Sequence, residues 1–141
     1  MIGLSEEQQE RVDIIKHKLK YIEQKPAVAC IVNLDPVTLA DDTIAELINI
    51  AGGAAETQFQ DPDIIVVMLS GLSTENTMKQ IAQLLQLPGF DELKAVKNKR
   101  LYIADGNDQL PVDTLELLAE IINPKQFIFG YEGDRWIKFG V

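Results

Sequence analysis

Few side chains in this sequence could do bond-making chemistry. The one histidine, His17, stands between Lys16 and Lys18, a setting that predicts the solvent side of a helix. The one cysteine, Cys30, lies inside the apolar run Ala27-Val-Ala-Cys-Ile-Val32, which predicts a core thiol and leaves no partner for an intrachain disulfide. Without a second His, a second Cys or paired acids at metal spacing, neither a zinc site nor a nucleophile and its base can be assembled. The expectation is a protein that is not an enzyme and has no metal and no cofactor. What remains are three polar clusters, each after an apolar run: Asn33-Leu-Asp-Pro36, Leu69-Ser-Gly-Leu-Ser73 and Ala104-Asp-Gly-Asn107. In an open α/β sheet the crevice beyond the carboxyl ends of the strands is where ligands bind. Asn33, Asp35, Ser70, Gly71, Ser73, Asp105 and Asn107 are therefore the candidate ligand-binding residues, suited to hydrogen bonding without catalysis.

Each candidate also has a plainer reading. Asp35 before Pro36 has the chemistry of a helix cap, since its carboxylate would satisfy orphan N–H groups. Asp105 and Asn107 flank Gly106 as turn residues do. Ser70, Gly71, Ser73, Thr74 and Thr77 could cradle a phosphate at a helix start, but the glycines are too few to press that reading. A phosphoacceptor site would need acids clustered around Asp35 and a lysine closing the last strand; neither is present in the pattern.

The elements that must position these residues follow from periodicity. Residues 5–24 read as a helix, with Ser5, Glu6 and Glu7 suited to its start and Leu4, Val12, Ile15, Leu19 and Ile22 at helical spacing, ended by Pro26. Residues 28–33 read as a strand covered on both faces. Asp35-Pro36 then predicts a cap and first-turn proline for a helix that continues over residues 39–51 and stops at Gly52-Gly53. A short strand at 55–59, a strong strand at 64–69, a helix from Ser73 to about Gln86, a turn or two over 90–96 and a strand at 100–104 follow in order. Met78, Ile81, Ala82, Leu84 and Leu85 are the expected buried face of the third helix. Pro111 opens the last helix, where Asp113 and Glu116 stand three apart like a capping box, and Asn123-Pro124 stops it. Residues 126–131 and 135–141 look extended, as a terminal hairpin or as one strand and a tail. Phe127, Phe129, Tyr131, Trp136 and Phe139 are expected to close one end of the core. This order predicts an α/β three-layer sandwich of flavodoxin-like topology around a parallel sheet of about five strands. The expected organisation is an N-terminal helix over residues 1–25 and a single lobe over 26–141.

With 141 residues, 46% of them apolar, the chain is long enough for one real core. Thirteen Lys and Arg against 22 Asp and Glu give a net charge of −9, which repels nucleic acid and anionic membrane surfaces. No apolar stretch approaches bilayer-crossing length, so no membrane insertion is expected. Residues 1–7 lack the basic start and apolar middle of a signal peptide, which predicts a soluble cytoplasmic protein for the chain as written.

Several stretches together carry a resemblance: Lys25-Pro-Ala-Val-Ala-Cys-Ile-Val-Asn-Leu-Asp-Pro36, Glu46-Leu-Ile-Asn-Ile-Ala-Gly-Gly53, Asp61-Pro-Asp-Ile-Ile-Val-Val67, Leu87-Pro-Gly-Phe90, Ala95-Val-Lys-Asn-Lys-Arg-Leu-Tyr-Ile103 and Asp105-Gly-Asn107. In this order they resemble the C-terminal lobe of the helical-backbone substrate-binding proteins of ABC importers, the cobalamin and iron-siderophore group. The resemblance spans about residues 10–125. It implies two α/β lobes joined by a long helix, with residues 5–24 as part of that connector, a cobalamin or ferric-siderophore ligand held between the lobes, an ABC permease as partner and a periplasmic location for the parent protein. Three departures from the family pattern stand out. Residues 54–60 replace a longer helical segment that carries an acidic docking residue. Asp108-Gln109-Leu110 runs straight to Pro111 in place of an aromatic and an Arg-Pro-Gly-Pro-Arg-like stretch, and Thr43 stands where a large aromatic is common. They point to a trimmed or engineered lobe, and the alternative reading is a minimised flavodoxin-like domain with no biological ligand. Connector-helix residues that would meet the absent lobe could pair two copies into a homodimer.

Overall fold

The computed structural model describes residues 4–34, 37–107 and 111–139. Three buried runs of β-branched and small apolar residues set its centre. Strands β1 (Ala27–Leu34), β4 (Ile64–Val67) and β5 (Leu101–Ala104) lie side by side and parallel, with Cys30 opposite Val66 and Val66 opposite Tyr102. Every residue of β4 and β5 is buried, as expected for strands covered on both faces.

The sheet is mixed where all-parallel pairing was expected. β2 (Val37–Leu39) folds back antiparallel on the end of β1, and β6 (Trp136–Lys138) runs antiparallel to β5. β3 (Ala54–Ala55) adds a short parallel pairing at the start of β1, so the order is β2-β1-β4-β5-β6 with β3 beside β1. β6 is antiparallel because residues 123–135 climb back to the carboxyl-terminal edge, where the Asp105 N–H donates to the Arg135 carbonyl at 2.7 Å. The chain then has only one way to run, downward along β5. The stretch 126–131 forms no strand.

Side chains of the central strands alternate between two apolar layers. Val28, Cys30, Val66 and Tyr102 meet one layer, which holds helices α1 (Glu6–Lys18), α2 (Asp42–Ile50) and α5 (Pro111–Ile122). Ala29, Ile31, Ile65, Val67 and Ile103 meet the other, which holds α3 (Thr74–Leu85), a 3₁₀ turn (Phe90–Glu92) and α4 (Lys94–Lys97). The result is the three-layer α/β sandwich.

Local chemistry fixes where the helices start. The Ser5 hydroxyl accepts the Gln8 N–H while the Gln8 side chain accepts the Ser5 N–H, a reciprocal cap for α1. α1 ends at Lys18, short of residue 24, where the Lys20 N–H turns to the His17 carbonyl and the Ile22 N–H to the Leu19 carbonyl, tighter bonds than those of an α-helix. α2 starts at Asp42 and not near Pro36. Its cap is Asp41, whose carboxylate accepts the Ile44 N–H, and the preceding Val37-Thr-Leu39 is spent pairing with β1. α3 is capped by Ser73 as expected but buries Thr77, Ile81 and Leu84, while Met78, Ala82 and Leu85 face outward. The rest of this face of the sheet is covered by Phe90, Leu93, Ala95 and Val96.

α5 is buried almost throughout and carries two carboxylates into the interior. Asp113 and Glu116 do not form a capping box: both accept from the Arg11 guanidinium of α1, and Glu116 also accepts from the Tyr131 hydroxyl at 2.9 Å. Glu120 accepts three donors from the C-terminal segment: the N–H groups of Phe129 and Glu132, and Trp136 Nε1. Phe127 and Phe129 stack, and Trp136 meets Tyr102 edge-on, so these aromatics close one end of the first apolar layer as expected; Phe139 packs in the other.

Candidate functional site: the carboxyl-terminal rim

Because β1, β4 and β5 are parallel, their exits gather on one edge. Two of the three exits are joined by backbone bonds. The Gly71 N–H donates to the Gly106 carbonyl, and the Gly106 N–H donates to the Leu72 carbonyl, both at 2.8 Å. A Cβ on Gly106 would stand 1.8 Å from the Leu69 carbonyl oxygen, so only glycine allows this approach. The third exit joins through the Ser70 N–H, which reaches the Val32 carbonyl at 3.3 Å.

This joining opens a shallow depression of about 170 Å³. Val32, Met68 and Ile44 form its apolar floor, and Ser70, Asp105, Asn107 and Thr114 its polar border. Drug-sized ligand pockets run to about 300–1,000 Å³, so this is one wall of a site and not an enclosure. The Asp105 carboxylate accepts the Asn107 N–H at 2.8 Å, which fixes the turn and confirms the turn chemistry of both residues.

Of the seven expected site residues, the structure brings Ser70, Asp105 and Asn107 together. Gly71 adjoins them, but its N–H is committed to Gly106 and its φ of +78 serves the turn. Ser73 is a cap: its hydroxyl accepts the Asn76 N–H at 3.2 Å, and it does not line the depression. Asn33 is exposed on the β1–β2 hairpin opposite Thr38, away from the depression, because the hairpin replaces the expected crossing at that point. Asp35 lies outside the described residues. Sequence reasoning missed the floor and Thr114. Ile44 and Thr114 come from the first turns of α2 and α5, three or four positions into each helix, where a side chain can reach over the strand ends; that position was the available signal.

The other chemically able groups lie elsewhere. Cys30 is buried, and loss of solvent pushes its thiol up to about 12, so it stays protonated. His17 is exposed on α1. The hydrogen bond to Glu116, then that to Asp113, holds the Arg11 guanidinium still more firmly in its charged form. Burial first, and the bond to Glu116 second, raise the Tyr131 phenol to about 12. Among the described residues no three His, Cys, Asp or Glu side chains converge as a metal site, and no helix is long and apolar enough to cross a membrane.

This fold, a mixed sheet with a parallel centre and helices on both faces, is similar to part of several solved periplasmic and ABC transporter substrate-binding proteins. Solved structures with this likeness include the TroA-like periplasmic binding protein FepB from Veillonella parvula, at a TM-score of 0.66 and 20% identity over 85% of this chain and 46% of that one. An ABC transporter substrate-binding protein from Listeria monocytogenes matches at 0.69 and 17%, over 84% of this chain and 55% of that one. S. aureus IsdE, solved in complex with heme, matches at 0.66 and 20%, over 82% and 54%. The chain therefore spans about half the length of these proteins, and at these identities the likeness is one of fold. No family model and no curated protein sequence matches the chain.

Proposed function

We propose that this chain is the ligand-binding C-terminal lobe of an ABC importer's substrate-binding protein, contributing one wall of a cleft for a corrinoid or a metal chelate. The observation that supports this reading most is the rim itself: three parallel exits drawn together around an apolar floor with a polar border. Its action is capture by shape and hydrogen bonding, with no bond made or broken. α1 serves as part of the connector to a second lobe, and its outward Ile14, 53% exposed, with Tyr21, 84% exposed in the turn that follows, forms the surface on which that lobe or a second copy of the chain docks. The working location is periplasmic or otherwise outside the cytoplasmic membrane, and the partner is the permease that receives the ligand.

One wall covers only one side of such a ligand, while association still costs at least about 4 kcal/mol of rigid-body freedom. Affinity of the single chain is therefore weaker than micromolar. Titration of the ¹⁵N-labelled chain with millimolar cyanocobalamin, followed through its backbone amides, tests the reading. The expected result is graded movement of the Ser70, Gly71, Gly106 and Asn107 signals. Micromolar or tighter binding, or movement confined to other surfaces, overturns it.

A further inference from the structure

The outward side of α1 departs from the usual surface helix, whose exposed face is polar throughout. Ile14 stands exposed at its middle, and the more exposed Tyr21 follows in the turn beyond its end. Glu10, Asp13, Ile14, His17 and Lys18 line an open recess of about 450 Å³ on this side. The first four are spaced i, i+3, i+4 and i+7, the four-residue hole that receives a side chain of a facing helix in knobs-into-holes packing.

Charge along this side changes sign at Ile14. Glu6, Glu7, Glu10 and Asp13 precede it, while His17, Lys18 and Lys20 follow it; Arg11 is turned inward to Asp113 and Glu116. Acids in the first turn and bases in the last also complement the helix's own dipole, but that effect falls off within a turn and does not account for Glu10 and Asp13. Among the described residues the ion pairs lie elsewhere, Arg11 with Asp113 and Glu116 and Lys94 with Asp63, which leaves Glu7, Glu10 and His17 unengaged by any. A surface acidic on one side of an apolar centre and basic on the other is complementary to itself after a half-turn, the condition for an isologous contact.

We infer that two copies of this chain pair through α1, antiparallel about Ile14, with the Glu10 side of each helix facing the His17 and Lys18 side of its partner. The arrangement also sets the two helix dipoles head to tail. Asp13 lies near the axis, where two carboxylates would approach; Gln9 Nε2 donates to Asp13 Oδ1 at 2.9 Å and holds that group against its own helix. A helix pair over about 20 Å buries less than the roughly 1,200 Å² of a standard interface, so the dimer is weak, with a Kd on the order of 100 µM. The pairing commits the docking surface of α1 to a second copy and does not depend on the rim.

Sedimentation equilibrium from about 10 µM to about 1 mM tests this. The expected result is a monomer–dimer equilibrium, weakened at least about threefold in high salt and at least about tenfold by Ile14→Asp, an exposed site where circular dichroism checks that the fold is kept. Glu10→Lys weakens it too, and Glu10→Lys combined with Lys18→Glu regains it. Under oxidation Ile14→Cys cross-links to itself, Cys30 being buried, whereas Glu7→Cys cross-links only when mixed with Tyr21→Cys. A chain monomeric at every concentration overturns the inference, leaving the surface to a second lobe and the reading of the rim intact. A dimer indifferent to Ile14→Asp and Glu10→Lys, or self-cross-linking of Glu7→Cys as a parallel pair would give, overturns it as well.

Discussion

Gly106 is where a single carbon matters most. Its missing Cβ lets two strand exits share backbone bonds, and an added methyl would meet the Leu69 carbonyl well inside contact distance. Gly106→Ala is expected to cost about 3 kcal/mol or more, read as a lowered urea midpoint through the fluorescence of Trp136, the only tryptophan. Gly130→Ala is the matched control: φ is +92 but nothing lies near, so only backbone strain of about 1 kcal/mol is expected. Glu120 is the second sensitive position. Glu120→Ala strands three donors of the C-terminal segment and is expected to cost roughly 3 kcal/mol or more in the same measurement. Cys30 and Tyr131 set the response to alkali. Both have folded values raised to about 12, from ordinary values of 9.0 and 10.0, so the native state holds their protons more tightly than the unfolded chain. The stability they contribute is complete below about pH 9 and falls as pH rises from 9 through 12. Denaturation midpoints across that range are expected to decline, and Cys30→Ala moves the onset up toward 10, where Tyr131 of the unfolded chain begins to titrate.

Caps decide the elements, and they also divide what the sequence revealed from what it hid. Ser5 and Ser73 announced their helices correctly, because an N-cap is a contact between residues three apart. The expected start at Asp35-Pro36 failed because the adjacent free edge of β1 took Val37-Thr-Leu39 into a hairpin and passed the cap to Asp41. The pair Asp113 and Glu116 likewise looked local but bonds to Arg11, more than a hundred residues away. The fully buried strands were legible because continuous β-branched runs have few other uses. The outward turn of Met78 and Leu85 was not, because how much of an amphipathic face is covered depends on which other segments share its layer. Ser73 supplies a prediction at this scale: Ser73→Ala is expected to lose about 1 kcal/mol of stability and to leave ligand-induced movement of the rim amides unchanged. A change in ligand response would restore Ser73 to the binding surface.

Across the whole molecule, the parallel centre converts three separate stretches of sequence into one surface. Ser70, Asp105 and Asn107 on that surface were visible in advance, as was the sandwich that carries them. The apolar floor was not, since Val32 and Met68 read simply as strand residues and Ile44 and Thr114 as helix residues. The chain spans about half of each of these solved proteins, and its depression is smaller than an enclosed pocket for a drug-sized ligand. The most direct measurement is a crystal structure of the chain grown with millimolar cyanocobalamin. Ligand density seated over Val32 and Met68, bordered by Ser70 and Asn107, is the predicted result. Density instead in the depression between Lys16, Lys25 and Gly52 at the opposite edge, or against the outer face of α1, would contradict the account.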